Sequence, residues 1–212
     1  NAALVRGLQK QAELTGVVKV EFIGAVSKGL EGKELAEMGD MAEAGVVAFS
    51  DDGHYVENAA FMRRALEYSS MFNKMVIDHA EDITLTKNGH MHEGIVSYEL
   101  GVIGRPAVAE DLAVARDILL SEMTGGHIHI AHVSSKNTVD MVRRAKAKGV
   151  NVTCEVTSQH LSFTDEYLRE YNPAFKMAPP IRSEDHRQAL LEGLKDGTID
   201  AIITDHAPHA FE

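Results

Sequence analysis

The chain has 212 residues, 44% of them hydrophobic, so it can bury one substantial core and is most simply one domain spanning residues 1–212. Its formal net charge of -11 excludes nucleic acid and anionic membrane surfaces as expected partners, because both need concentrated Lys and Arg. The single Cys154 leaves no internal disulfide, and no run is apolar and long enough to cross a bilayer. We therefore expect a cytoplasmic protein.

Apolar, β-branched runs alternate with helical patterns along the whole chain. The predicted strands are 17–23, 46–50, 74–78, 127–133, 151–156 and 201–204. The predicted helices are 2–16, 33–44, 58–70, 106–124, 135–149 and 183–197. Residues 80–104 are predicted to form a long polar loop, and residues 157–182 an irregular section. Six alternations of strand and helix indicate an α/β fold with a parallel sheet.

The helix predicted over 106–124 has a well-defined apolar stripe. Its members recur at helical spacing and are Val108, Leu112, Ala115, Leu119 and Met123. The pattern predicts that these residues form the apolar face of the helix.

Four of the predicted strands end on residues that bind metals. Asp51-Asp52-Gly53 follows the strand 46–50, His79 follows 74–78, and His132 ends 127–133. The last strand ends on Asp205, in the run Asp205-His-Ala-Pro-His209. Each motif alone is weak, since Asp-Gly after a strand is an ordinary turn. Their shared position predicts a (β/α)8 TIM-type barrel with zinc or a similar ion at the carboxyl-end rim.

Two His-x-His pairs are predicted not to be ligands. In the strand 127–133, His127 and His129 point to the face opposite Ile128, Ile130 and His132. His90 and His92 lie in the predicted polar loop, with no strand beneath them.

A series of motifs, in order along essentially the whole chain, resembles a known family. They are Gly24-Ala-Val-Ser-Lys-Gly29, Phe49-Ser-Asp-Asp-Gly53, His79-Ala-Glu-Asp82, His92-Glu-Gly94, His132-Val-Ser134, Cys154-Glu-Val-Thr157, Lys176-Met-Ala-Pro-Pro180 and Asp205-His-Ala-Pro-His209. Together they are similar to the class I dihydroorotases of the amidohydrolase superfamily. That family has a (β/α)8 barrel and interconverts N-carbamoyl-L-aspartate and L-dihydroorotate in de novo pyrimidine synthesis.

The resemblance implies a role for each matching residue. Asp52 is implied as the carboxylate that bridges two zinc ions, and His79 and His132 as ligands of one of them. Asp205 is implied both as a ligand of the other ion and as the catalytic proton shuttle. His209 is implied as a substrate contact. The resemblance also implies one or two zinc ions as the cofactor and a metal-activated hydroxide in the reaction.

The chain departs from the family pattern at three places. The Asp-x-His-x-His motif of the first barrel strand is absent, since the chain begins on Asn1 and stops three residues after His209. We therefore expect an incomplete barrel of about six strand–helix units that is inactive by itself. Ala178 stands where the family carries a substrate-binding asparagine, and Gln159-His160 replaces a His-His pair.

Two other functions remain open. The first is a hydantoinase-like or allantoinase-like cyclic amidase. Hydantoinases and dihydropyrimidinases carry a carboxylated bridging lysine, and no lysine lies near the end of the strand 46–50, so Asp52 favours the dihydroorotase. The second is a non-catalytic dihydroorotase-like scaffold for aspartate carbamoyltransferase. The expected partners are a small-molecule substrate, a second copy of the chain and aspartate carbamoyltransferase.

Overall fold

A computed structural model describes residues 1–207 of the chain. Its strands are β1 Ile23–Gly24, β2 Ala48–Ser50, β3 Met75–Asp78, β4 Met91–His92, β5 Gly104–Arg105, β6 Ile128–Ile130, β7 Val152–Thr157 and β8 Ala201–Ile203. Its α-helices are α1 Ala2–Thr15, α2 Met38–Glu43, α3 Ala59–Ser70, α4 Ile83–Thr86, α5 Ile95–Leu100, α6 Val108–Thr124, α7 Lys136–Ala147, α8 Ser158–Ser162 and α9 Glu184–Lys195. Short 3₁₀ helices cover Lys28–Leu30, Asp165–Glu170 and Pro173–Phe175. Within the described range, no helix is long and apolar enough to span a membrane.

Six of the strands form one sheet in the order β1-β2-β3-β6-β7-β8. The pairs β1/β2, β2/β3, β3/β6 and β7/β8 are all parallel. A helix follows most of these strands before the next one begins, which is the arrangement that the alternating sequence pattern predicted. All carboxyl ends of parallel neighbours lie at the same edge of the sheet, and this edge carries the candidate ligands.

The predictions for the first strand and for the loop 80–104 were wrong. The first strand begins at Ile23, whereas Val17 is 98% exposed and precedes any strand. β-branched composition alone cannot make a strand where no neighbouring strand supplies hydrogen bonds. The segment 80–104 is not a loop: it contains α4, α5 and a second sheet in which β4 and β5 pair in parallel. Its elements are too short to produce a clear periodic pattern.

The chain divides into two compact units. The first comprises residues 1–80, 115–130 and 145–152. Its core consists of fully buried side chains from the strands and from the helices that cover them, namely Val26, Met38, Val46, Phe49, Met62, Leu66, Val76, Ile128 and Ile130. Parallel strands that are buried on both faces need this nearly continuous apolar composition.

The second unit comprises residues 81–114, 131–144 and 153–212. Its buried apolar residues include Val114, Val139, Val142, Val156, Ile181, Leu190 and Ile199. A smaller cluster of Met91, Val96 and Leu168 is covered by Leu100, Val102 and Phe175. This cluster holds the segment that the sequence had predicted to be irregular.

Helix α6 is rotated relative to the prediction from its apolar stripe. Four of the five predicted apolar-face residues are exposed: Val108, Leu112, Leu119 and Met123. The buried face instead carries small or polar residues, namely Ala109, Glu110, Ala113, Val114, Asp117 and Ser121. Ser121 donates a hydrogen bond to Gly126 O at 2.8 Å, and Glu110 and Asp117 have charged partners described below. The polar contacts of this helix therefore determine which side faces inward.

The orientation of α6 predicts opposite outcomes for two alanine substitutions on the same helix. Leu119→Ala should change the free energy of unfolding by less than about 0.5 kcal/mol, because the side chain is 64% exposed. Val114→Ala should cost more than about 1 kcal/mol, since it removes two buried methyl groups and leaves a cavity. Urea unfolding of both variants of the full chain measures this. A larger loss for Leu119→Ala would contradict the observed orientation.

Candidate metal centre

Asp52 and His79 are brought together by neighbouring parallel strands. Asp52 lies two residues after β2 and His79 directly follows β3, and the pairing of Ser50 with Ile77 aligns the two strand ends. The distance from His79 Nδ1 to Asp52 Oδ1 is 3.6 Å. The His79 side chain is largely buried, whereas that of Asp52 is 51% exposed. One ligand candidate therefore faces the protein interior and the other faces solvent.

Ser50 fixes the backbone at the end of β2. Its hydroxyl donates to Ile77 O at 3.0 Å and accepts from the Asp52 N–H at 2.9 Å. The hydroxyl thus links the turn that carries Asp52 to the strand that leads to His79. This link sets the spacing between the two candidate ligands.

His132 completes a group of three potential ligands. It is buried and lies two residues after β6. One ligand atom from each of Asp52, His79 and His132 lies within 4.8 Å of the other two. A carboxylate oxygen and two imidazole nitrogens are donors that suit zinc. The residues therefore fit the metal that the sequence predicted.

Two of the other predicted site residues, Asp205 and Ala178, lie within the described range and are exposed. Asp205 is described and exposed, and it does not belong to the group of three among the residues of the described range. Ala178 is exposed and precedes the buried Pro179 and Pro180. His209 lies outside the described residues, so its predicted substrate contact stays a prediction.

His132 and Asp205 share an unusual backbone conformation. Their φ angles are 34° and 47°, a region that non-glycine residues seldom occupy. Each follows its strand by two residues. Such conformations persist only where the surroundings enforce them, and they concentrate at functional sites. This shared feature was not predictable from the residue types, because neither position is a glycine or an asparagine.

The four histidines that were predicted not to be ligands lie outside the metal group. Among residues 1–207, only Asp52, His79 and His132 form such a group, so His90, His92, His127 and His129 do not belong to it. His92 nevertheless lies in strand β4, contrary to the predicted loop. Its Nδ1 atom is 3.3 Å from Arg182 NH1. A guanidinium can only donate, so this nitrogen accepts a hydrogen bond and faces a cation.

Asp51, which precedes the candidate ligand Asp52, has a separate structural role. Its buried carboxylate accepts hydrogen bonds from Val26 N at 2.8 Å and Ser27 N at 3.0 Å, and also from the Ser27 hydroxyl. These contacts attach the turn after β1 to the end of β2. The two residues of the Asp-Asp dipeptide therefore have different roles: Asp51 anchors the backbone, and Asp52 is the candidate ligand.

Asp78, which precedes His79, is buried against helix α6. Arg116 NH2 contacts Asp78 Oδ2 at 3.2 Å and also binds Asp117. Burial raises the pKa of Asp78 well above its ordinary value, and the neighbouring Asp117 adds to this, while Arg116 opposes it. Arg116 also stacks on the Tyr55 ring, 4.4 Å from its centroid. No local sequence pattern predicts this cluster, because Asp78 and Arg116 are 38 residues apart in the chain.

His160 is held as a neutral imidazole. Its Nε2 atom lies 3.1 Å from Pro179 O, which can only accept, so Nε2 carries the proton. Nδ1 then accepts from the Thr157 hydroxyl at 2.7 Å. Burial lowers the pKa of His160 to about 4. The residue fixes the carbonyl that follows Ala178, and so supports the segment predicted to contact substrate.

Comparisons with known proteins agree with these motifs. Residues 4–138 match the family model described as dihydro-orotase-like. The chain is 55% identical over 203 residues to a dihydroorotase of Pelotomaculum thermopropionicum, covering 96% of this chain and 48% of that protein. It is 51% identical over 213 residues to a dihydroorotase of Streptomyces coelicolor, covering 100% of this chain and 50% of that one. The chain thus spans about half the length of the curated relatives it matches.

Solved structures with a similar fold include proteins named as hydantoinases and dihydropyrimidinases. The L-hydantoinase (dihydropyrimidinase) from Arthrobacter aurescens superposes with a TM-score of 0.83 at 24% identity, over 99% of this chain and 48% of that one. The D-hydantoinase (dihydropyrimidinase) from a Thermus species gives 0.74 at 25% identity, over 97% and 47%. With the parallel sheet and its alternating helices, these matches confirm the predicted fold class, an incomplete (β/α)8 barrel.

The low pKa of His160 predicts a loss of stability in acid. The ordinary histidine pKa is about 6.5. Between that value and about 4, the unfolded chain binds one proton more at this position than the folded chain does. The free energy of unfolding therefore falls as the pH drops through this window. In metal-free protein, the free energy of unfolding plotted against pH should have a slope near pH 5 that is lower in His160→Gln than in the wild type. The expected difference is about 1.4 kcal/mol per pH unit.

Urea unfolding at a series of pH values measures this slope. His54→Gln, the same substitution at an exposed position, is measured alongside His160→Gln as the matched control. An equal slope for wild type and His160→Gln would show that His160 is not buried as a neutral group.

Proposed function

The chain belongs to the dihydro-orotase-like family, and from this we propose that the protein is a dihydroorotase that interconverts N-carbamoyl-L-aspartate and L-dihydroorotate. The observation that carries the proposal is the convergence of Asp52, His79 and His132 at the carboxyl ends of parallel strands. In barrels of this type, that edge of the sheet is where catalytic groups are placed. The place of the reaction in de novo pyrimidine synthesis is part of the proposal.

The proposed cofactor is zinc, as one or two ions. Asp52, His79 and His132 would hold it, and Asp205 is proposed as a further ligand. The donor types support zinc over magnesium or calcium, which prefer oxygen ligands alone. When bound, the ion supplies Lewis-acid polarisation of the amide carbonyl and lowers the pKa of water.

Asp205 is proposed as the catalytic proton carrier. In the hydrolytic direction, its carboxylate accepts the proton of the attacking water and returns it to the leaving ring nitrogen, and in the synthetic direction the transfers reverse. The exposed side chain and the left-handed backbone of Asp205 support this role, because the group is turned out of the sheet toward solvent. His209 and Ala178 are proposed to contact the substrate.

The cyclic-amidase alternative is supported by the structural matches to hydantoinases, which show a common fold but leave the substrate open. Ala178 also bears on which cyclic amide is the substrate, because a methyl group cannot replace the hydrogen bonds of an asparagine amide. The alternative of a non-catalytic scaffold predicts no turnover of any cyclic amide. The proposal also includes a homodimer, a complex with aspartate carbamoyltransferase, a cytoplasmic location and a single barrel domain over residues 1–212.

A substrate panel separates the proposed function from its alternatives. The full-length protein that contains this chain, purified with its zinc content measured, is assayed with dihydroorotate, N-carbamoyl-L-aspartate, dihydrouracil, hydantoin and allantoin. We expect turnover of the first two compounds alone, loss of activity on treatment with a chelator, and recovery on addition of zinc. Preference for hydantoin or allantoin would replace the proposed substrate. No turnover by zinc-loaded protein would favour the scaffold.

Two histidine substitutions test the metal site, one at a proposed ligand and one at an exposed control position. His79→Gln should reduce bound zinc and lower turnover by at least roughly 100-fold, because it removes an imidazole ligand from the group of three. His54→Gln is the matched control, since His54 follows the same strand as Asp52 but is exposed and outside the group. Full zinc content in His79→Gln would contradict the assignment.

Asp205 and His209 are expected to differ in what they contribute. Asp205→Asn should lower turnover by on the order of 10²–10⁴-fold, because an amide cannot accept the proton. His209→Ala should mainly raise KM, since a substrate contact contributes binding that water partly replaces. Steady-state assays of carbamoyl-aspartate cyclisation on both variants, with zinc measured in parallel, provide the comparison. Near-normal turnover by zinc-loaded Asp205→Asn would exclude the proton-carrier role.

A further inference from the structure

Glu110, on the buried face of helix α6, binds the turn that follows His132. Its Oε1 atom accepts hydrogen bonds from Ser134 N at 3.0 Å and Ser135 N at 2.9 Å. Its Oε2 atom accepts from the Ser134 hydroxyl and from Arg182 NH2, the latter at 3.3 Å. All four residues are nearly or fully buried. Both carboxylate oxygens are therefore occupied by donors from two separate chain segments.

Arg182 completes the network from the other side. Its Nε atom donates to the Ser134 hydroxyl at 2.7 Å, and its NH1 atom donates to Arg105 O at 3.3 Å. The Ser134 hydroxyl thus accepts from Arg182 and donates to Glu110, so its orientation is fixed. Burial would raise the pKa of Glu110, but Arg182 and the serine donors outweigh it and hold the pKa below its ordinary value. The carboxylate therefore remains charged and keeps all its donors.

The network lies two residues from His132. Val133 N donates to Glu155 O at 2.8 Å, and the next two backbone N–H groups are those held by Glu110. All three amides that follow His132 are therefore bound. His132 itself has a φ of 34°, a strained conformation that relaxes unless neighbouring contacts enforce it. The Glu110 contacts supply that enforcement on the carboxyl side of the residue.

We propose that Glu110 is a positioning residue that holds His132 in the orientation required for metal binding. The inference rests on the proposed function, because it assumes that His132 is a ligand. Glu110 does not need to touch the ion: it fixes the backbone whose conformation aims the imidazole. Residues that orient metal ligands in this way typically contribute 10–100-fold to metal affinity.

The test is Glu110→Gln in the full chain. One amide oxygen can still accept from the two backbone N–H groups, but the amide NH₂ then faces the donors of Arg182 and loses that contact. The zinc dissociation constant, measured by competition with a chromophoric chelator, should rise by roughly 10–100-fold. Glu122→Gln is the matched control: Glu122 lies on the same helix but is exposed, and its variant should bind zinc like the wild type.

The melting temperature of the metal-free protein distinguishes positioning from general stabilisation. A lower melting temperature with an unchanged zinc dissociation constant at 25 °C would overturn the proposal, since Glu110 would then stabilise the fold without affecting the ligand. Equal losses of zinc affinity in the Gln variants of Glu110 and Glu122 would overturn it as well.

Two further variants make the result unambiguous. If Glu110→Gln does not fold, Ser134→Ala replaces it, because it removes the hydroxyl link and keeps the bonds to both backbone N–H groups. It should weaken zinc binding by roughly tenfold, and unchanged affinity would overturn the proposal. His132→Gln tests the underlying assumption. If His132→Gln binds zinc like the wild type, the proposed metal site fails. If it weakens zinc binding while Glu110→Gln and Ser134→Ala do not, only the positioning role fails.

Discussion

Buried carboxylates that accept backbone hydrogen bonds are the constraint on which the rest of the structure depends. Asp51 holds the turn after β1, and Glu110 holds the turn after β6. Each accepts from two consecutive N–H groups and one serine hydroxyl. An ionised group buried without partners would cost many kcal/mol, so these turns cannot move without exposing or neutralising the acid. The strand ends beside the candidate metal ligands are fixed by this requirement.

The same requirement explains the orientation of helix α6. Turning its apolar stripe inward would bury Leu112 and Leu119, at a gain of roughly 1.5–3 kcal/mol for each side chain. It would also remove Glu110 from Arg182 and Arg116 from Asp78, leaving charged partners buried and unpaired. Breaking one buried ion pair costs about 3–5 kcal/mol, and two pairs would break. This cost exceeds the gain from burying the two leucines, so the polar face is the one that is buried. Hydrophobic periodicity therefore predicts the wrong buried face for α6, because the polar contacts beside the candidate site determine how the helix is oriented.

The candidate site combines a rigid frame with strained residues. His132 and Asp205 each follow a strand by two residues and have left-handed backbones. Ser50, Asp51 and Glu110 fix the neighbouring turns through hydrogen bonds of ordinary length. A frame of this kind supports the proposed chemistry, because metal ligands and proton carriers act efficiently only when their positions are set before substrate binds.

The sequence by itself determined the parallel α/β architecture and the residue types at the strand ends. The strand–helix alternation and the acids and histidines after apolar runs are local patterns, and local patterns can be read directly. Tertiary structure decided the rest. The first strand is confined to Ile23–Gly24 because these are the residues that pair with Ala48 and Phe49 of β2. Glu110 and Arg182 are 72 residues apart, and Glu110 and Ser134 are 24 apart. No periodicity encodes such pairs, because they form only when the folded chain buries both partners together.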